Sequence, residues 1–150
     1  MQAAFEGYFV LNENDHRARV DDWMELAAKD APPARLLEAF GQAFGAVWRR
    51  ARVILGEVTL MAILDRVLHN AVERFPLLSA LETDATGLRS DKLREGAGGL
   101  NRDQLREGIR FILVEFLTVL GNLTAEVLSP ALHSELSKVA TGAAAGEGTK

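Results

Sequence analysis

Apolar residues recur every three or four positions along two long segments of the chain, residues 33–76 and 101–139. This spacing is the period of an amphipathic α-helix, and each apolar stripe is about one helix face wide. In the first segment the stripe continues through Ile54 and Val58 without a change of phase. Both segments are therefore predicted to be helical and to pack through their apolar faces.

Prolines and a capping residue predict where these helices begin and end. Pro33 suits the first turn of a helix, Pro76 ends the first segment, and Asn101 is placed to cap the second. A further amphipathic helix is predicted over residues 15–29, because apolar residues recur there at helical spacing and Pro32 follows.

The chain accordingly divides into an arm, a bundle and a tail. Residues 1–32 form an N-terminal arm with one helix, and residues 33–139 form a helical bundle. Within the bundle, the glycine and polar residues of 77–100 predict a linker between the two helical segments. The small, glycine-rich residues 140–150 form a tail that we expect to be disordered.

The two helical segments also resemble each other. The pattern Leu-Gly-x-(Val/Leu)-Thr occurs at residues 55–59 and again at 120–124, and His69 and His133 occupy equivalent positions after a deletion. Two helical units packed face to face make a four-helix bundle with pseudo-twofold symmetry. We therefore predict an all-α fold, a four-helix bundle built from two repeated helical hairpins, with an N-terminal helical arm.

The glycine of the repeated pattern leaves two interpretations open. In one, Gly56 and Gly121 close a helix, and Thr59 and Thr124 cap the next. In the other, each segment is one continuous helix that tolerates an internal glycine. The unbroken apolar phase supports the second interpretation. We favour the first, because a single helix of that length would far exceed the usual three or four turns.

Composition and charge narrow the classes of function. The chain carries 17 basic and 21 acidic residues, a net charge of −4, whereas nucleic-acid binders normally carry a basic stripe. No cysteine is present, which removes disulfides, thiolate metal sites and cysteine nucleophiles. No apolar run approaches the roughly 20 residues of a membrane span, and the first residues lack the features of a signal peptide. We expect a cytoplasmic protein that binds neither nucleic acid nor membranes.

His69 and His133 are the candidate phosphoacceptors. An imidazole exposed on a bundle helix can take this role when an acidic or polar neighbour orients it. The residues from His69 to Pro76 resemble a histidine-kinase dimerisation helix, although the spacing of the proline differs. Two histidines without cysteine or a carboxylate cluster fall short of a metal site, so no metal or cofactor is expected. The simplest interpretation is structural, with both rings at the edge of an apolar face.

Other residues suggest contact with a protein partner. Residues 48–52 combine a tryptophan with three arginines, whose guanidinium groups bind carboxylates and phosphates. The acidic residues of the arm are an obvious intramolecular partner for this cluster. Two glycines four residues apart predict a close helix–helix contact, and arm aromatics add apolar surface. The candidate partner-binding residues are Phe9, Trp23, Gly41, Gly45, Trp48, Arg49, Arg50 and Arg52.

The usual catalytic patterns are absent from the sequence, which has no nucleophile elbow, phosphate-binding loop, dinucleotide-binding glycine pattern or His-Glu-x-x-His motif. We therefore expect a non-enzymatic helical interaction module, a signalling adaptor or regulatory partner that acts as a homodimer. One alternative is a histidine phosphotransfer or kinase-dimerisation-like bundle, which needs an exposed histidine ring. The other is a ligand- or haem-binding bundle, which needs a cavity and an inward-facing histidine.

Overall fold

The computed structural model describes residues 13–84, 87–124 and 130–139, which are predominantly helical. The all-α prediction is therefore confirmed. The helices in these residues are α1 (Glu13–Ala27), α2 (Pro33–Leu55), α3 (Glu57–Arg74), α4 (Asp91–Glu95), α5 (Arg102–Leu123) and α6 (residues 130–139). Two short 3-10 helices, Pro76–Ala80 and Ala97–Gly99, and the antiparallel strands β1 (Glu82–Asp84) and β2 (Gly87–Arg89) complete the elements.

Helix α5 lies at the centre of the fold and contacts α1, α2 and α3. Its buried side includes Phe116, whose ring lies 4.9 Å from that of Phe44 and 6.2 Å from that of Trp48, measured between centroids. Phe44 and Trp48 are one turn apart on α2, so both rings reach the same aromatic neighbour. This aromatic cluster joins α2 to α5 in the core.

The predicted local signals at the helix ends are confirmed. Pro33 is the first residue of α2, and α3 ends at Arg74, just before Pro76. The Asn101 side chain accepts a hydrogen bond from the backbone N–H of Gln104 at 3.0 Å, as a capping residue does. The arm helix also forms, two residues earlier than predicted at both ends.

The two glycine joints have different structures. Gly56 has φ 86° and ψ 159°, a region that only glycine adopts readily, and it separates α2 from α3. Gly121, by contrast, is a buried residue inside α5, which continues to Leu123. The expected break is therefore right at Gly56 and wrong at Gly121.

The two threonines of the repeated pattern lie at different places in their helices. Thr59 lies within the first turn of α3, whose N-cap is Gly56. The Thr124 hydroxyl donates to the carbonyl of Leu120 at 2.9 Å and lies at the C-terminal end of α5. The four-helix bundle of two repeated hairpins is accordingly not confirmed, because the two segments divide differently.

The expected linker, residues 77–100, has regular structure and contributes to the core. Its buried apolar residues are Leu78, Leu81, Leu93 and Ala97. Gly87 has φ 111°, and a Cβ atom there would lie 3.3 Å from the indole of Trp48. The hairpin therefore packs directly on α2. The arm residues before 13 and the tail 140–150 lie outside the described residues.

Candidate functional site

The two tryptophans proposed as partner-binding residues belong to the core. Trp23 and Trp48 are both almost fully buried, so neither can form part of a docking surface in this fold. A buried indole gains more from packing against apolar neighbours than an exposed one. Phe9, the other aromatic candidate, lies outside the described residues.

The glycine pair on α2 does not make the predicted close helix–helix contact within the chain. A Cβ atom at Gly41 would have nothing within 4 Å, and one at Gly45 would meet only Arg49 of the same helix. The tight contact occurs at Gly108 of α5, where a Cβ would lie 2.9 Å from Leu78 Cδ1. The small residue that the packing requires was therefore not one of the predicted pair.

Two acidic residues of the arm helix α1 pair with arginines of α5. Asp21 accepts two hydrogen bonds from Arg110, at 2.6 Å from Nε and 3.2 Å from Nη2, and this pairing raises the pKa of Arg110. Glu25 lies 3.6 Å from Arg106. For Asp21 and Glu25, the expectation of pairing with the α2 arginines is therefore wrong.

The same face of α5 also binds the turn that follows α1. Arg102 donates to the carbonyl of Ala31 through Nε and to that of Lys29 through Nη2, each at 2.7 Å. Both carbonyl groups lie beyond Ala27, the last residue of α1, so Arg102 fixes the segment that leads into α2. Because contacts progress from Lys29 to Asp21 as α5 progresses from Arg102 to Arg110, the two helices run antiparallel. The four-residue spacing of these arginines was a signal available in the sequence.

With the arm paired elsewhere, Arg49, Arg50 and Arg52 of α2 remain exposed. The Arg52 guanidinium lies 3.9 Å from the carboxylate of Glu57, a distance at which a solvent-exposed pair contributes little. Arg49 and Arg50 line an open groove of about 220 Å³, together with Ala46, Val53 and Glu135 of α6. The three arginines are the part of the predicted partner-binding set that the structure places at the surface.

Large apolar side chains are exposed beside these arginines. Val53 is 84% exposed, Ile54 55% and Val58 84%. The sequence pattern placed Ile54 and Val58 on a buried stripe, and this is wrong because Gly56 changes the direction of the chain between them. We call this region the corner surface, and its members are Arg49, Arg50, Arg52, Val53, Ile54 and Val58.

The structure separates the two candidate histidines. His69 is exposed on α3, and its Nε2 lies 3.4 Å from the Glu73 carboxylate one turn later. His133 is only 6% exposed, and its Nε2 lies 2.9 Å from Nδ1 of the fully buried His16. The expected similar placement at the edge of an apolar face is therefore wrong for both. His16 was not singled out from the sequence, because no local pattern links residues 117 positions apart.

The environment of His133 disfavours the imidazolium form. Burial, followed by the nearby His16 and Arg19, lowers the pKa of His133 to about 4, and Asp15 partly opposes this shift. At neutral pH the ring is therefore neutral and shares a hydrogen bond with His16. A haem or metal ligand role for His133 would require this buried contact to break.

A second cleft, of about 230 Å³, lies between α1, α5 and the end of α3. Its charged lining residues are Arg17, Arg74, Arg110, Glu107 and Glu115. The Arg74 guanidinium lies over the Phe111 ring, 5.0 Å from its centroid. With Asp21 bound to Arg110, the formal charges of these six side chains sum to zero.

Neither a metal site nor a membrane-spanning helix adds a candidate functional site within the described part of the chain. Among residues 13–84, 87–124 and 130–139, no group of three or more His, Asp or Glu side chains is placed to hold a metal ion. Within the same ranges, no helix combines the length and apolar character needed to cross a bilayer. Comparison with protein families, curated proteins and solved structures found no match to this chain.

Proposed function

We propose that the protein is a non-enzymatic helical interaction module, an adaptor or regulatory partner whose corner surface binds an acidic, partly apolar helix of another protein. The observation that carries this proposal is the exposure of Val53, Ile54 and Val58 beside exposed arginines. Apolar side chains surrounded by arginine are the composition of protein interfaces, where Arg and large apolar groups are enriched and water is excluded.

The charge of the corner surface favours an acidic partner. Its three arginines face two nearby carboxylates, those of Glu57 and Glu135, so the region is net positive on a chain with net charge −4. Two copies meeting corner to corner would place like charges opposite each other. An amphipathic helix with carboxylates beside its apolar face can form ion pairs with the arginines and apolar contacts with the valines.

Binding of a designed peptide tests the proposal directly. The probe is a fluorescent helical peptide with leucines on one face and glutamates flanking it, and its affinity is measured by anisotropy. We expect Val58→Asp to weaken binding at least tenfold, since it puts a carboxylate where apolar contact is needed. Asp is well tolerated in the first turn of a helix, so the variant should remain folded.

Leu26→Asp is the matched control. Leu26 is 68% exposed on α1, so the same type of change is made on a different helix. Arg50→Gln should weaken binding about two- to fivefold and reduce its dependence on salt. Equal losses for Val58→Asp and Leu26→Asp, or no loss for either, would contradict the assignment of the corner surface.

A second candidate function is phosphotransfer through His69. The ring of His69 is exposed and has a carboxylate one turn away, which is the arrangement expected of an oriented phosphoacceptor. Buried His133 lacks the access to a donor that the reaction requires. Acid-labile phosphate on the wild-type protein that is lost in His69→Gln and retained in His133→Gln would support this function. No such phosphate would exclude it.

A further inference from the structure

Helix α6 packs on the fold through apolar side chains and a polar contact between two histidines. Leu132 and Leu136 are buried in the core, and between them the ring of His133 meets His16 of α1. The two ring centroids lie 5.0 Å apart with an interplanar angle of 81°. The same helix carries Glu135 into the groove beside Arg49 and Arg50. Docking of α6 therefore also sets the charge of one edge of the corner surface.

The contact between the two imidazoles depends on a shared proton. At 2.9 Å, one ring nitrogen must donate N–H and the other must accept it. One proton between the two contacting nitrogens meets this requirement, whether the pair is neutral or carries one positive charge. When both rings are imidazolium, each contacting nitrogen carries a proton, so two donors and two positive charges face each other in a site where burial already penalises charge.

Neighbouring charged groups and access to solvent also affect protonation of His133. Arg19 disfavours protonation of His133, as His16 does, whereas Asp15 favours it. Arg19, Ser134 and Ser137 line an open groove of about 360 Å³ at His133, which gives solvent a path to the pair. The pKa of His133, about 4, places its protonation in the acidic range.

We propose that His16 and His133 form a proton-sensitive latch. It holds α6 against α1 when a single proton lies between the two contacting nitrogens, and it releases α6 when both rings are charged. Release would withdraw Glu135 from the groove beside Arg49 and Arg50, and so make the corner surface more basic. This last consequence rests on the proposed function, whereas the latch itself does not.

Distances between spin labels test the latch in the 150-residue chain without any partner. The chain has no cysteine, so labels can be attached only where cysteines are introduced. One pair, Ala62→Cys with Lys138→Cys, joins exposed positions on α3 and α6, and a reference pair, Ala18→Cys with Ala62→Cys, joins α1 to α3. On lowering the pH from 7 to 3.5, we expect the 62–138 distances to lengthen and broaden while the 18–62 distances stay unchanged.

A paired substitution separates the latch from general acid sensitivity. His16→Asn with His133→Gln keeps amide groups in place of the contacting nitrogens but takes up no proton, so its 62–138 distances should not change with pH. His69→Gln should behave as the wild type. Unchanged wild-type distances, or equal release in the paired variant, would overturn the proposal.

The wild-type background supplies an independent check if the paired variant does not fold. The midpoint of the distance change must coincide with the titration of the His133 ring followed by NMR, and a different midpoint would overturn the latch. Because the measurement contains no peptide, failure of peptide binding would reject the proposed function and leave this result unaffected.

Discussion

Single residues set how closely the elements of this fold approach each other. At Gly108, α5 lies against the 3-10 helix Pro76–Ala80 so closely that a Cβ atom would be 2.9 Å from Leu78 Cδ1 and 3.3 Å from its Cγ. Leu78 is fully buried, so its side chain has little room to move away. Gly41 has the opposite environment, because it is exposed and a Cβ atom there would meet nothing within 4 Å.

These environments predict opposite effects of the same substitution. Gly108→Ala should lower the free energy of unfolding by about 1–2 kcal/mol, because overpacking outweighs the gain in helix propensity. Gly41→Ala, on the exposed face of α2, should raise it by about 0.5–1 kcal/mol. Urea denaturation of the two variants checks this, and equal stability would show that Leu78 yields without cost.

At the scale of elements, α5 begins with a side-chain cap and α3 does not. Asn101 accepts the Gln104 N–H, whereas Thr59 is exposed in the first turn of α3 and is not the cap. Asn101→Ala should therefore lower the free energy of unfolding by about 1 kcal/mol. Thr59→Ala should change stability by no more than about 0.5 kcal/mol, which thermal melting can resolve. A larger loss for Thr59→Ala than for Asn101→Ala would contradict these roles.

Docking of α1 on α5 depends on a partly buried ion pair. Asp21→Asn keeps the shape of the side chain but removes the charge that Arg110 binds through two hydrogen bonds. Because the Asp21 side chain is about half exposed, we expect a loss of about 0.5–1.5 kcal/mol. Asp22→Asn is the control at the next, exposed position. The pair contributes nothing if both variants unfold at the same urea concentration.

At the scale of the whole molecule, the buried histidines predict how stability depends on pH. The pKa of His133 is about 4 in the folded protein and 6.5 in an unperturbed chain, so the unfolded state binds the proton more readily. The contribution of neutral His133 to the free energy of unfolding is fully present above pH 6.5. It is lost as the pH falls toward 4, and the loss is at most about 3 kcal/mol. His133→Gln should flatten this part of the profile, measured by urea denaturation at several pH values, and His69→Gln should not.

Self-association remains a prediction at this scale. Buried Trp23 no longer supports it, but the Gly41 and Gly45 face is uncovered within the described chain. We expect a homodimer at micromolar concentration that dissociates in Gly41→Arg, where a long charged side chain blocks close approach. Light scattering decides this, and a 16.4 kDa particle at high concentration would contradict it.

The sequence by itself determined the helical class and several helix boundaries. Pro33, Pro76 and Asn101 act through the backbone within one turn, so their effects do not depend on the rest of the fold. The exposed arginines of α2 were also identified correctly as surface residues, because charged side chains remain in water unless they are paired.

Only the tertiary structure decided which apolar and polar residues meet. The stripe through Ile54 and Val58 has unbroken helical phase, yet both are exposed, because Gly56 ends one helix and begins another in a new direction. His16 reaches His133 across 117 positions. A helical pattern specifies which residues share a face, but the partner of that face depends on how the helices pack, and that arrangement is set by contacts distant in sequence.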